Sequence, residues 1–341
     1  MVMPTFRRTR RAALPFAVLS VAALVPHLAL ACASCGCTLS SDWDSLGLSS
    51  STGLKLDLRY DYLNQNQLRS GTSTISPRAA SQVSNNGNPQ EVEKYTRNDY
   101  LTLGLDYSFN PSWGVDLQVP YIFRSHSTLG TASDGNTAGD GGGQYASKTS
   151  SLGDIKVIGR YQGFTPQHNL GVMFGLKLPT GSHDDTAASS DPTAPGPVAI
   201  DRGLQPGSGT TDGILGVYYM DTLNKNWDYF GQAMVQKALD SSDHYRPGDG
   251  INLNVGLRYM GNAYVMPQLQ LNVRHVERDE GANADTVSTG GTLAYLSPGV
   301  TVPLGKKVSM YSFVQLPVYQ NVNGVQLAPR YTATVGARYT F

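Results

Sequence analysis

Long hydrophobic runs are scarce in this chain of 341 residues. Ala12 to Val25 is one, and no later stretch approaches the ~18 continuous apolar residues of a spanning helix. Cysteine is scarcer still. The three cysteines fall within residues 32–37, so no disulfide framework reaches the rest of the chain. Charge of one sign is missing as well, with 26 basic and 26 acidic residues and no basic patch, which argues against nucleic acid as a partner. There is no C-x-x-C-H, the signature of covalent haem attachment, so none is expected. No linker divides the chain into separate domains.

Residues 1–31 read as a secretory signal peptide. Arg7, Arg8, Arg10 and Arg11 form a basic start, the apolar run follows, and Ala29-Leu30-Ala31 matches an A-x-A cleavage pattern. Removing this segment takes away those four arginines and no acid, leaving a slightly acidic mature chain. A cysteine-containing periplasmic segment is expected at 32–50, and the remaining 51–341 are expected to form one domain.

The chain as a whole carries 37 Gly, 19 Tyr and a mean hydropathy of −0.26, which suits many strands that are apolar on one face only. Alternation of large apolar with charged residues recurs. Leu54, Leu56, Leu58, Tyr60 and Tyr62 interleave with Lys55, Asp57, Arg59 and Asp61. Trp113, Val115, Leu117, Val119, Tyr121 and Phe123 interleave with Asp116, Gln118 and Arg124. Ile251, Leu253, Val255, Leu257 and Tyr259 interleave with Asn252, Asn254 and Arg258. A strand places successive side chains on opposite faces, and charges spaced this closely among large apolars do not belong in a dry core. About twelve such segments are expected, with faces unassigned in 290–302 and 307–319. Their connectors alternate long (64–93, 126–148, 182–209) with short (110–112, 164–168, 223–226). Membrane barrels alternate in this way, with long extracellular loops and short periplasmic turns. The chain also ends on Tyr339 and Phe341, an aromatic boundary resembling the C-terminal signal read by the barrel-assembly machinery. The fold expected is therefore all-β: a transmembrane, up-and-down antiparallel barrel in the outer membrane of a Gram-negative envelope, with lipid as its surroundings.

The blocks "LGDIKVIGRYQ" (152–162), "NLGVMFGLKLPTG" (169–181) and "GLQPGSGTTDGILGVYY" (203–219) resemble a transporter-type outer-membrane family labelled for the meta-pathway of phenol degradation. Asp154, Pro179, Thr180, Gly181, Gly207, Gly209 and Asp212 carry the resemblance. It implies passage of aromatic or other hydrophobic compounds. An architectural role, with glycines for turns and close approach and aspartate for strand-end hydrogen bonds, is the competing reading of the same residues.

The inward charges are candidates for lining a pore. The positive ones are Lys55, Arg59, Arg124, Lys156, Arg160, Lys177, Arg258, Arg274 and Arg338. The negative ones are Asp57, Asp61, Asp106, Asp116, Asp154, Asp212 and Asp228. So even a mixture predicts no strong ion selectivity. Pro120, Pro179 and Pro317 recur near outer strand ends, where proline terminates or kinks a ladder.

Cys32, Cys35 and Cys37 admit three readings: a disulfide with one odd thiol, lipidation of Cys32, or a soft-metal site for Cu(I) or Zn. No other cofactor is expected. No paired Ser/His/acid motif accompanies "SHS" at 125–127, so an outer-membrane enzyme is the weaker reading. The function expected is passive diffusion of small solutes, hydrophobic or aromatic ones included. The alternative is a metal-handling or redox accessory barrel whose cysteine segment docks a periplasmic partner.

Overall fold

A computed structural model describes residues 52–132, 141–190 and 195–341. The expected signal peptide at 1–31, the expected periplasmic segment at 32–50 and all three cysteines lie outside the described residues.

Eleven strand elements form a ring. They are β1 (Gly53–Gly71), β2 (Val92–Ser108), β3 (Trp113–Gly130), β4 (Ile155–Tyr161), β5 (Leu170–Leu178), β6 (Asp212–Asn224), β7 (Trp227–Ala238), β8 (Gly250–Tyr259), β9 (Met266–Val276), β10 (Gly291–Pro303) and β11 (Val308–Thr340). Each pairs antiparallel with the next, and β11 closes on β1. A uniformly antiparallel ring needs an even number of crossings, and β11 supplies the missing one. Its 33 residues would extend on the order of 100 Å, several times the ~30 Å of a bilayer core. It folds back on itself instead. Ser309 to Val322 pairs with β10, and Val322 to Thr340 pairs with β1. Thr332 Oγ1 donates to Gln315 Oε1 at 3.0 Å and Gln320 Nε2 to the Pro329 carbonyl at 2.9 Å, tying the two legs across a bend at Gly324 (φ 55°). Ten elements cross once and β11 twice, which makes the twelve crossings expected from the alternation.

The two faces separate as the pattern requires. Lys55, Asp57, Arg59 and Asp61 are buried inside, while Leu253 and Val255 are 47% and 51% exposed on the outside. Aromatic pairs gather near the short turns, among them Tyr107–Phe109, Trp113–Tyr161, Trp227–Tyr259 and Tyr339–Phe341. They form the girdle of a bilayer boundary. Asparagine shapes three of these turns: Asn110 Oδ1 accepts from the backbone N–H of Ser112 and Trp113, Asn224 from that of Asn226, and Asn262 from that of Tyr264.

β10 and the first leg of β11 blur the alternation for a physical reason. Leu293, Tyr295, Tyr311 and Phe313 point inward. The Tyr311 ring lies over Gly336 and the Phe313 ring over Gly299, where a Cβ would come within 2.3 Å and 2.1 Å of the rings. Tyr311 Oη donates to Asp57 Oδ1 at 2.9 Å, so this apolar interior patch still meets the charged lattice.

The expected long loops are partly strand. β1 continues to Gly71 and β3 to Gly130, a further strand covers Tyr145–Leu152, and the first loop holds a helix at Pro77–Ser81 capped by the Ser76 hydroxyl. These outer extensions are polar on both faces, so they leave no period-two signal in the sequence. Of the three prolines, Pro120 lines the lumen, Pro317 sits beside a register shift, and Pro179 follows the end of β5 and is exposed.

Candidate functional site

The family-like blocks lie far apart in sequence, and β4, β5 and β6 bring them to one point. Lys177 on β5 is buried, and its Nζ lies 3.1 Å from Asp154 Oδ2 and 3.1 Å from Asp212 Oδ1. The same Nζ donates to the Ser208 hydroxyl. Asp154 Oδ1 accepts from the Gly181 N–H at 3.1 Å, and its Oδ2 from the Ser208 N–H at 2.9 Å. Asp212 Oδ2 accepts from Gln236 Nε2 at 2.7 Å. Thr180 Oγ1 donates to the Gly153 carbonyl at 3.0 Å and accepts from the Ile155 N–H at 2.9 Å. Gly181 and Gly207 touch backbone to backbone: a Cβ on Gly181 would lie 2.7 Å from Gly207 Cα. Gly209 takes φ 73°. The node pins the loop segment 202–208 against the inside of the wall.

The wall beside this node is incomplete. β4 pairs with β5 from Tyr161↔Val172 to Ile155↔Leu178. The next ladder pairs outward are Ala146↔Ala188 and Tyr145↔Ser189. Between them, residues 147–154 and 179–187 have no ladder pairing with each other. On the other side β3 changes partner, from Lys156 opposite Gln118 to Leu152 opposite Tyr121, across Pro120. A proline without an N–H fits this break.

Inside lies a cavity of about 310 Å³. Seven of the predicted pore residues line it: Arg59, Arg124, Asp154, Lys156, Lys177, Asp212 and Arg274. The others do not. Lys55, Asp57, Asp61, Asp106, Asp116, Arg160, Arg258 and Arg338 are inside the barrel, chiefly toward the short turns, where most are paired. Arg59 reaches Asp61 at 2.8 Å, Arg258 Asp228 at 2.6 Å and Arg338 Asp57 at 3.2 Å, and Arg160 pairs with Asp106. Asp116 accepts from Gln118 Nε2 at 2.7 Å. Sequence reasoning missed the loop residues of the lining: Arg202, Gln205, Tyr245 and Asp279. Irregular loops have no periodicity to reveal which residues turn inward.

An outer crevice of about 790 Å³ lies above, lined by Asp185, Asp201, Asp243 and Asp285 among others. Arg202 and Gln205 line both spaces, so the short turn Arg202–Leu204 divides them. Arg124 Nη1 donates to the Gln205 carbonyl at 3.0 Å, which fixes this divider to β3. His183 and Asp243, from neighbouring loops, approach to 3.8 Å, and Arg202 reaches Asp243 at 3.3 Å. Among the described residues, no group of three His, Cys, Asp or Glu side chains is placed to hold a metal ion. His126 is engaged inside the wall, with Nδ1 2.9 Å from Thr96 Oγ1 and its ring beside Tyr145. At the chain end, the Phe341 N–H donates to the Leu54 carbonyl at 3.0 Å, and the Tyr339 and Phe341 rings stand 4.7 Å apart.

Among solved structures, the chain is similar to an outer membrane channel from Pseudomonas putida F1, with a TM-score of 0.60 and 13% identity over 89% of this chain and 100% of that one. The fold is that of an outer-membrane β-barrel. The toluene transporter TodX of Pseudomonas putida is more distant, at a TM-score of 0.48 and 11% identity over 92% of this chain and 98% of that one. So is the β domain of the Bordetella autotransporter BrkA, at 0.46 and 15% over 85% and 100%. No protein-family model matches the chain, and no curated protein matches it in sequence.

Proposed function

We propose that this barrel is an outer-membrane channel, not an enzyme, that lets small hydrophobic or aromatic solutes pass by diffusion. The observation that carries the reading is the cavity of about 310 Å³, whose wall is part apolar (Ile122, Ile158, Met173, Ile214) and part charged, beneath a loop divider and beside an unladdered seam. That volume lies at the lower end of small-ligand sites. A solute reaching the cavity leaves along the lumen or between the strands at the seam. The resemblance to the phenol-pathway transporter family supports the same reading. The bonds around Lys177 account for its shared residues as architecture that holds divider and seam together. TodX is a toluene transporter, a solute class that fits this cavity. Tyr339 and Phe341 suit a signal for the barrel-assembly machinery.

The test is uptake of a labelled neutral aromatic by cells with an intact lipopolysaccharide outer membrane, with and without the protein. Faster accumulation is expected when it is present, and equal rates overturn the reading. Cys32, Cys35 and Cys37 as a Cu(I) or Zn site stay a separate proposal, tested by metal analysis of the reduced, purified protein.

A further inference from the structure

We propose that the central cavity binds a small organic anion, a carboxylate on an aromatic or aliphatic body, so that hydrophobic acids are the solutes this channel favours. The inference rests on the channel reading and narrows its substrate class.

Charge is segregated by height. Summed over all strands the inward charges nearly balance, and toward the short turns they are paired off: Arg160 with Asp106, Arg258 with Asp228 and Arg338 with Asp57. Around the cavity the balance fails. Arg59, Arg124, Lys156, Lys177, Arg202 and Arg274 face it, against Asp154, Asp212 and Asp279. Arg59 is held by Asp61 at 2.8 Å and Arg202 by Asp243 at 3.3 Å. Lys177 takes both Asp154 and Asp212. Asp279 accepts from Tyr245 Oη at 3.0 Å and from the Gly248 N–H at 2.9 Å instead of from a base.

Two guanidinium groups are therefore left without a carboxylate. Arg124 meets neutral acceptors only: Asn98 Oδ1, the carbonyls of Gly203 and Gln205, and Tyr100 Oη. Arg274, on β9, has no hydrogen bond or ion pair among the described residues, and its Nε is buried without an acceptor. A desolvated donor without an acceptor costs free energy, more so when it is charged. The planar fork of arginine is matched by a carboxylate, which takes two parallel hydrogen bonds. Ile122, Ile158, Met173, Ile214, Met234 and Val276 supply an apolar wall for the body of the same molecule. A neutral hydrocarbon would use that wall and leave both guanidinium groups as they are. A fully polar anion would do the reverse.

The experiment is equilibrium binding to the purified, full-length mature protein in detergent, with benzoate and benzyl alcohol as probes of matched shape. Benzoate is expected to bind saturably and more weakly as salt rises, with benzyl alcohol weaker by about tenfold or more, the difference of one charge-assisted hydrogen bond. Arg274→Gln is expected to remove most of that preference and Arg274→Lys to restore part of it. Equal binding of the two probes by the unaltered protein overturns the proposal, and so does a preference untouched in both Arg274→Gln and Arg124→Gln. Should a variant fail to fold, the comparison of probes on the unaltered protein decides alone. The channel reading is judged separately, by uptake of the neutral aromatic in cells. That uptake can succeed where the anion preference fails.

Discussion

Lys177 is the residue on which the site depends most directly. Its ammonium group is shared between two buried carboxylates, and the side chains of Lys177, Asp154 and Asp212 are 8%, 9% and 4% exposed. Replacing it with alanine leaves two uncompensated acids, and removing one partner of a buried pair costs about 3–5 kcal/mol. Lys177→Ala is therefore expected to lower the unfolding free energy of the barrel by an amount in that range, obtained from the midpoint and slope of a urea titration followed by the shift in gel mobility between folded and unfolded forms. The double replacement Asp154→Asn with Asp212→Asn in the same background should recover much of the loss. That each of the three residues faces inward was legible from alternation within its own block. Their meeting was not, because it depends on how β4, β5 and β6 align.

The informative element is the interrupted β4–β5 wall. Local patterning identifies both strands, since Ile155 and Val157 alternate with Lys156 and Phe174 and Leu176 with Lys177. It does not show that the ladder stops at Ile155↔Leu178 and resumes only at Ala146↔Ala188. The blocks bordering the gap supply Thr180, Gly181 and Gly207, and the last two leave no room for a side chain. Gly207→Ala should thus displace the 202–208 segment at a cost of about 1–3 kcal/mol, the usual range for overpacking. Faster tryptic cleavage after Arg202 in the folded protein is the expected sign, and unchanged cleavage would mean that the glycine contact does not hold the divider. Pro120 was readable as a strand breaker. Its place at the change of partner along β3 was not.

At the scale of the whole molecule, three outer loops close over the lumen and bring acids together. Asn85 on the first donates to Asp285 on the loop between β9 and β10 at 3.1 Å, and Ser288 Oγ donates to Gln90 Oε1 at 3.1 Å. Burial, with Asp285 adding, pushes Glu91 from 4.5 up to about 7. Burial, with Glu91, Glu93 and Asp285 adding, pushes Asp201 well above the carboxylate range. Burial raises Asp285 also, against the hydrogen bonds it accepts from the Ser288 and Val287 N–H groups and from Asn85. A raised acid binds its proton more tightly with the loops closed than with them open. Closure is therefore at full strength below about 4.5 and weakens as pH rises through about 7. Amide exchange in 277–289, corrected for its intrinsic pH dependence, should quicken across that window, and Glu91→Gln should flatten the response. A protein whose loop protection does not change over the window would contradict this linkage.

The sequence by itself determined which residues meet lipid, how many times the chain crosses the bilayer and which charges turn inward. Those properties repeat every second residue within a strand, so each segment declares them without reference to its neighbours. It left the faces of β10 and β11 open, because rings laid over Gly299 and Gly336 on adjoining strands make an apolar patch inside the barrel. Only the tertiary structure decided that the shared motifs form a single node, that the loops divide the lumen from the outer crevice, and that a nearly neutral set of inward charges is paired below and left basic above. Each of these depends on register between strands and on loops that return across the mouth. Such contacts join residues far apart in the chain, and no local period records them.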